Sequence, residues 1–186
     1  GLPVGKIHLA ANSNKVLHDF LSTGIYDANR ELLKTTSPSM DILIASNMER
    51  YLHLLTGNYS YISSLMEALK SEGSFSFDAN LLDLESSWVS EGEVLAGIKK
   101  VYADYGYLLD PHSAVAAHAL FNSEMSGRRL IVSTASPYKF AETVLTALGQ
   151  DLPPDDRGQI LRLQQLIGTD LPRTIEELWS LQPQER

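Results

Sequence analysis

Two apolar runs, GKIHLAA at residues 5–11 and RRLIVST at residues 128–134, each stop in small polar residues and hand over at once to a helical pattern. Strand, polar turn, helix is the repeating unit of α/β proteins, whose strands align in parallel. The fold class expected is therefore α/β: a helix-rich chain with few parallel strands. The two turns, Asn12-Ser13-Asn14 and Thr134-Ala135-Ser136, fall at the carboxyl ends of their strands. Open α/β sheets hold ligands at that edge, so both turns are expected to line one crevice.

About seven helices fill the remaining sequence. Their start and stop signals are plain: KVLHDFLST closed by Gly24, NMERYLHLLT closed by Gly57, and YSYISSLMEALKSE capped by Asn58 and closed by Gly73. Asn12, Ser13 or Asn14 is expected to cap the first of these. Ser90 and Glu93 have capping-box spacing before VLAGIKKVYADY. Asp110-Pro111 is a cap followed by a first-turn proline, ahead of an Ala- and Val-rich helix that reads as buried. Ser136-Pro137 starts another, running to Ala147, and residues 151–186 hold two short helices around Gly168. FSFDANLLDLE is ambiguous, with room for a short strand.

Parallel sheets are normally covered on both faces, and two strands cannot make such a sheet. Its partners are expected outside this chain, and the abrupt start at Gly1, without Met, points the same way. The expectation is a fragment whose open faces and edges drive self-association.

Composition narrows the function. The chain has 186 residues, 44% of them hydrophobic, a net charge of −8 and no cysteine. Disulfides and thiolate metal sites are excluded, and without a basic block neither nucleic acid nor an anionic membrane is an expected partner. No apolar stretch approaches the roughly 18 residues of a spanning helix, and no signal peptide pattern is present, so a cytoplasmic protein is expected. HExxH, GxSxG, P-loop and GxGxxG motifs are absent, and the five histidines are scattered rather than spaced as ligands, so no metal site is expected.

GLPVGKIHLAANSNKVLHDFLSTGIYD, SPSMDILIASNMER, YGYLLDPHSAVA and STASPYKF, in this order and at these separations, resemble the C-terminal half of threonine synthase. The resemblance covers roughly residues 1–149. It implies a pyridoxal-phosphate enzyme of fold type II, the tryptophan-synthase β-like class, that converts O-phosphohomoserine and water to threonine and phosphate. Residues 1–150 would then be the C-terminal part of the cofactor-binding domain and 151–186 a helical appendage.

The resemblance also implies residue roles. Thr134, with Ser133 as the neighbouring possibility, matches the hydroxyl that hydrogen-bonds the cofactor's pyridine nitrogen. Ser136 is a further substrate or cleft candidate, and it stands where the family often has histidine, which puts that histidine's substrate-handling role in question at this position. Asn12, Asn14, Ser39 and Asp41 match segments that face the cleft. Contact and capping stand open for the two asparagines, and loop structure is the favoured reading for Ser39 and Asp41. His112, in a helix's first turn, matches a histidine common in the family and reads first as a local hydrogen-bond partner. None of the seven lysines sits in the context of the Schiff-base lysine, and no Gly-rich phosphate loop is present. The chain alone is therefore expected to be inactive. Two alternatives remain: a threonine synthase-like phospho-lyase that eliminates phosphate without adding water, and a non-catalytic interaction module of the same fold.

Overall fold

A computed structural model of the chain describes residues 4–124, 126–168 and 170–181. Strand β1 (His8–Ala11) forms where the first apolar run was expected, and it does lie in a parallel pair. Its partner is unexpected. β4 (Glu85–Trp88), with sequence ESSW, runs beside it in the register His8↔Glu85 to Ala11↔Trp88. ESSW lacks an apolar alternation, and it can lie in a strand because neighbouring side chains satisfy its hydroxyls. His8 Nε2 meets Ser87 Oγ at 2.9 Å, and His18 Nδ1 meets Ser86 Oγ at 3.0 Å.

Residues 128–134, by contrast, form no strand and make no backbone–backbone hydrogen bond among the described residues. Ile131 leans on a core, but Leu130 and Val132 are 87% and 75% exposed. An apolar alternation becomes a strand only when a neighbour completes its ladder and a layer covers its outer face. Neither is present among the described residues.

Helix α1 (Val16–Thr23) covers one face of the β1–β4 pair, through the His18–Ser86 bond and the Lys15 ammonium 4.5 Å from the Trp88 ring. Strand side chains alternate between faces. Ala10 accordingly packs into a second layer formed by α4 (Glu91–Tyr105), α5 (Pro111–Phe121), α6 (Ala141–Ala147) and α7 (Asp156–Ile167). Val94, Ile98, Ala114, Val115, Val144, Leu145 and Leu163 are fully buried there. α8 (Arg173–Ser180) rests on the same cluster through Ile175 and Trp179.

On the α1 side a separate aromatic cluster forms. A short antiparallel pair, β2 (Ile25–Asp27) with β3 (Ser74–Ser76), puts Tyr26 opposite Phe75 with their rings stacked at 5.1 Å. Phe20 tilts against both, and α2 (Met48–Thr56) and α3 (Tyr59–Glu72) close the cluster with Leu52 and Ile62. Gly24, at φ 74°, is required here, since a Cβ at that position would come within 2.3 Å of the Phe77 carbonyl oxygen.

The caps of the later helices fall where the sequence puts them. Asn58 accepts from Tyr61 N–H, Glu93 accepts from Ser90 N–H and Oγ–H, and Asp110 caps α5. The first helix differs. Lys15 is its N-cap residue, without a side-chain bond, so none of Asn12, Ser13 and Asn14 caps it. The segment after Ser136 also begins as a 3-10 turn, Pro137–Phe140, before α6 proper. No helix among the described residues is long and apolar enough to cross a membrane.

Candidate functional site

Asn12 follows directly on β1 and is fully buried, and its carboxamide turns away from α1 toward the loop of residues 33–41. Its Nδ2 group reaches Asp41 Oδ1 and Thr35 Oγ1, both at 2.8 Å, and Ser37 Oγ at 3.0 Å. Its Oδ1 accepts from the backbone N–H of Asn14 at 2.9 Å. Asn14 in turn pairs with Leu33 as a second strand would: Nδ2 donates to the carbonyl at 2.8 Å and Oδ1 accepts the N–H at 2.9 Å. Asp41 gathers the ends of this network. Its carboxylate accepts from Asn12 Nδ2, from Asn14 Nδ2, and from both the N–H and the hydroxyl of Thr35.

A second network starts at α5. Asp110 is 1% exposed and accepts from the N–H groups of His112 and Ser113 and from Ser113 Oγ–H, while His112 Nδ1 lies 3.0 Å from its Oδ1. Because Asp110 faces Nδ1, the other ring nitrogen is free to accept, and Nε2 takes the backbone N–H of Ser39 at 3.1 Å. That bond ties the two networks together. The His112 ring also packs on Phe140 at 4.7 Å between centroids. From Asp110 the path continues outward: Ser113 Oγ lies 2.7 Å from Ser133 Oγ.

The expected site residues thus separate. Asn12, Asn14 and Asp41 form one cluster; Ser39, through its backbone, and His112 join it to Asp110 and Ser133. Thr134 is exposed and makes no hydrogen bond among the described residues, and Ser136 Oγ accepts only from Tyr138 N–H. The second turn is not a strand end, because residues 128–134 are not a strand. Tethers at Ser39 and Ser133, rather than a shared sheet edge, connect it to the first.

Four contributors were not singled out from sequence as site residues: Thr35, Ser37, Asp110 and Ser113. Asp110 was legible only as a cap. TTSPSMD reads as an ordinary polar loop, and nothing in it signals that Ser37 is fully buried. Beside this region lies a cavity of about 200 Å³ lined by Leu9, Asn12, Asn14, Tyr26, Ser39 and Met40. No cluster of three or more His, Asp or Glu side chains placed to hold a metal occurs among the described residues.

No family profile matches the chain. Threonine synthase-like 1 of Pongo abelii is 40% identical over 156 residues, covering 80% of this chain and 21% of that protein. The crystal structure of threonine synthase from yeast superposes with a TM-score of 0.79 at 31% identity, covering 98% of this chain and 38% of that one. The pyridoxal-phosphate-bound threonine synthase from Brucella melitensis gives 0.75 at 31% identity, over 96% of this chain and 40% of that one. The chain therefore spans about a fifth of the first relative's length and about two fifths of the solved chains.

Replacing Asn12 by Ala would remove a buried carboxamide whose two N–H groups are shared among the partly exposed Asp41 carboxylate and the hydroxyls of Thr35 and Ser37. Asn12→Ala should cost about 1–3 kcal/mol in urea unfolding. Ser13→Ala, one residue away and outside the network, should stay within about 0.5 kcal/mol. Equal losses for the two would show that Asn12 is not the anchor.

Proposed function

We propose that this chain, a homologue of one stretch of the threonine synthases, contributes the ring-nitrogen side of a pyridoxal-phosphate site in an enzyme that converts O-phosphohomoserine and water to L-threonine and phosphate. The observation that carries this reading is the exposed hydroxyl of Thr134, set beside a Ser133 that is moored to the buried Asp110 network.

The donor set fits the ring-nitrogen end of that cofactor. Both groups offered at 133–134 are neutral hydroxyls. The carboxylate behind them, Asp110, is buried and occupied by internal donors. A carboxylate against the ring nitrogen would hold it protonated, whereas a hydroxyl does not. When bound, the ring supplies an electron sink for loss of the substrate's protons, departure of phosphate and addition of water.

On this reading Thr134 orients the ring through one hydrogen bond. Asn12, Asn14 and Asp41 hold the 33–41 loop against β1, and His112 fixes the height of Ser39 over α5. Ser136 starts the turn after the cofactor contact. The phosphate cradle and the Schiff-base lysine are assigned to sequence outside this chain, which alone is expected to be inactive. A cytoplasmic setting accompanies the proposal. A second reading within the same fold is phosphate elimination without water addition. Product analysis of the full-length protein, threonine against 2-oxobutyrate, separates the two.

In the cofactor-loaded parent, Thr134→Ala removes one neutral hydrogen bond, worth about 0.5–1.5 kcal/mol, and should cost at most roughly tenfold in turnover. Thr134→Asp should shift the cofactor's absorption toward the form protonated at the ring nitrogen and change the product ratio. An unchanged spectrum with cofactor still bound would remove Thr134 from the nitrogen.

The β1–β4 pair has no further strand on either side among the described residues, so copies of the isolated chain are expected to associate at those edges. Sedimentation should show species larger than a monomer that dissociate on dilution. A strict monomer at high concentration would mean that the edges are protected.

A further inference from the structure

The Asp110 network fixes the direction of the proton shared between Ser113 and Ser133. Ser113 is 2% exposed, and its Oγ touches two oxygens, Asp110 Oδ2 and Ser133 Oγ. A carboxylate only accepts, and a serine hydroxyl owns a single proton. Ser113 must give that proton to Asp110, because the opposite sense would set its lone pairs against a buried carboxylate oxygen. Having spent its proton, Ser113 can only accept across the 2.7 Å contact with Ser133. The Ser133 proton therefore points inward, and toward a ligand Ser133 offers lone pairs alone.

We propose that Asp110 is a positioning residue: acting through Ser113, it locks Ser133 as a hydrogen-bond acceptor and leaves Thr134 as the hydroxyl of the pair that can donate to a ligand. The proton order follows from this chain's own geometry. Its consequence, that an unprotonated ring nitrogen is served by Thr134 and not by Ser133, rests on the reading above. Adjacent residues thus present opposite polarities, an acceptor at Ser133 and a donor at Thr134. A ligand group meeting Ser133 must itself carry an N–H or O–H.

Asp110→Asn tests the relay without removing the cap, since Asn caps as well as Asp. The amide oxygen keeps the backbone N–H groups of His112 and Ser113, and the amide nitrogen faces Ser113 Oγ as a donor. The Ser113 proton is then released toward Ser133, and the Ser133 proton turns outward. The experiment is proton NMR of the hydroxyl groups in the full chain, with exchange rates measured in water. In the unsubstituted chain the Ser133 hydroxyl proton should be protected and show a cross-relaxation peak to the Ser113 β-protons.

Asp110→Asn and Ser113→Ala should each accelerate exchange of the Ser133 hydroxyl proton by about tenfold, the equivalent of one hydrogen bond, while the amide spectrum stays folded. The inference is overturned if Asp110→Asn leaves Ser133 exchange unchanged. It is equally overturned if Ser133→Ala abolishes the protection of the Ser113 hydroxyl, which would mean that Ser113 is the donor. A separate arm uses the pyridoxal-phosphate-loaded parent, where Ser133→Ala should preserve the cofactor's absorption band and Thr134→Ala should shift it. The reverse result there, with the NMR outcome as expected, would overturn the cofactor assignment and leave the relay standing.

Discussion

A carboxylate held by internal donors ties together the segments that supply them, and two such groups, the buried Asp110 and the partly exposed Asp41, organise the structure around residues 12–41 and 110–134. Asp110 takes its donors from the first turn of α5 and reaches Ser133 through Ser113. Asp41 takes its own from Asn12, Asn14 and Thr35. For Asp110, losing one partner costs more than the bond contributed, because the remaining charge stays buried and unmet. The two networks share one joint, the Ser39 N–H on His112 Nε2. A strand end, a surface loop, a helix start and an irregular segment are thereby held in one arrangement.

The same satisfaction of donors has a chemical meaning. Carboxylates saturated with internal hydrogen bonds are poorly placed to exchange protons with a substrate, which leaves the hydroxyls of Ser133 and Thr134 as the groups offered at the outer end of the Asp110 network. On the proposed reading, a pair of neutral hydroxyls suits contact with an aromatic nitrogen whose protonation state has to be left alone. It is less suited to general acid–base work, which needs a titratable side chain within reach of the reacting atom. The supporting frame is rigid for a separate reason: α4, α5, α6 and α7 bury a continuous apolar cluster directly beneath the Asp110 network.

Much of the frame is legible in the residues themselves, for local reasons. Asn58, Ser90 with Glu93, and Asp110 before Pro111 identify helix starts because each cap is satisfied within three residues. What could not be read depends on distant partners. ESSW becomes β4 because His8 and His18, 79 and 68 residues away in sequence, lie across from its hydroxyls. RRLIVST carries a strand's alternation yet stays irregular because nothing pairs with it among the described residues. Asn12 and Asn14 look like caps by composition. Their carboxamides are claimed instead by Asp41 and Leu33, which turns a helix signal into a loop anchor. Residue type and family resemblance point to the candidate residues. The links between them, Thr35, Ser37 and Ser113, have no signature of their own.

Native-state hydrogen exchange tests most directly whether these segments form one unit. The amides of Leu33, Thr35 and Ser39 belong to a loop, but each donates to a side chain of the network: Asn14 Oδ1, Asp41 Oδ2 and His112 Nε2. The account predicts that they exchange slowly, and with a common opening free energy shared by the amides of His112 and Ser113. Fast exchange of the three loop amides beside protected amides in α5 would contradict it, and would reduce the site to two unconnected clusters.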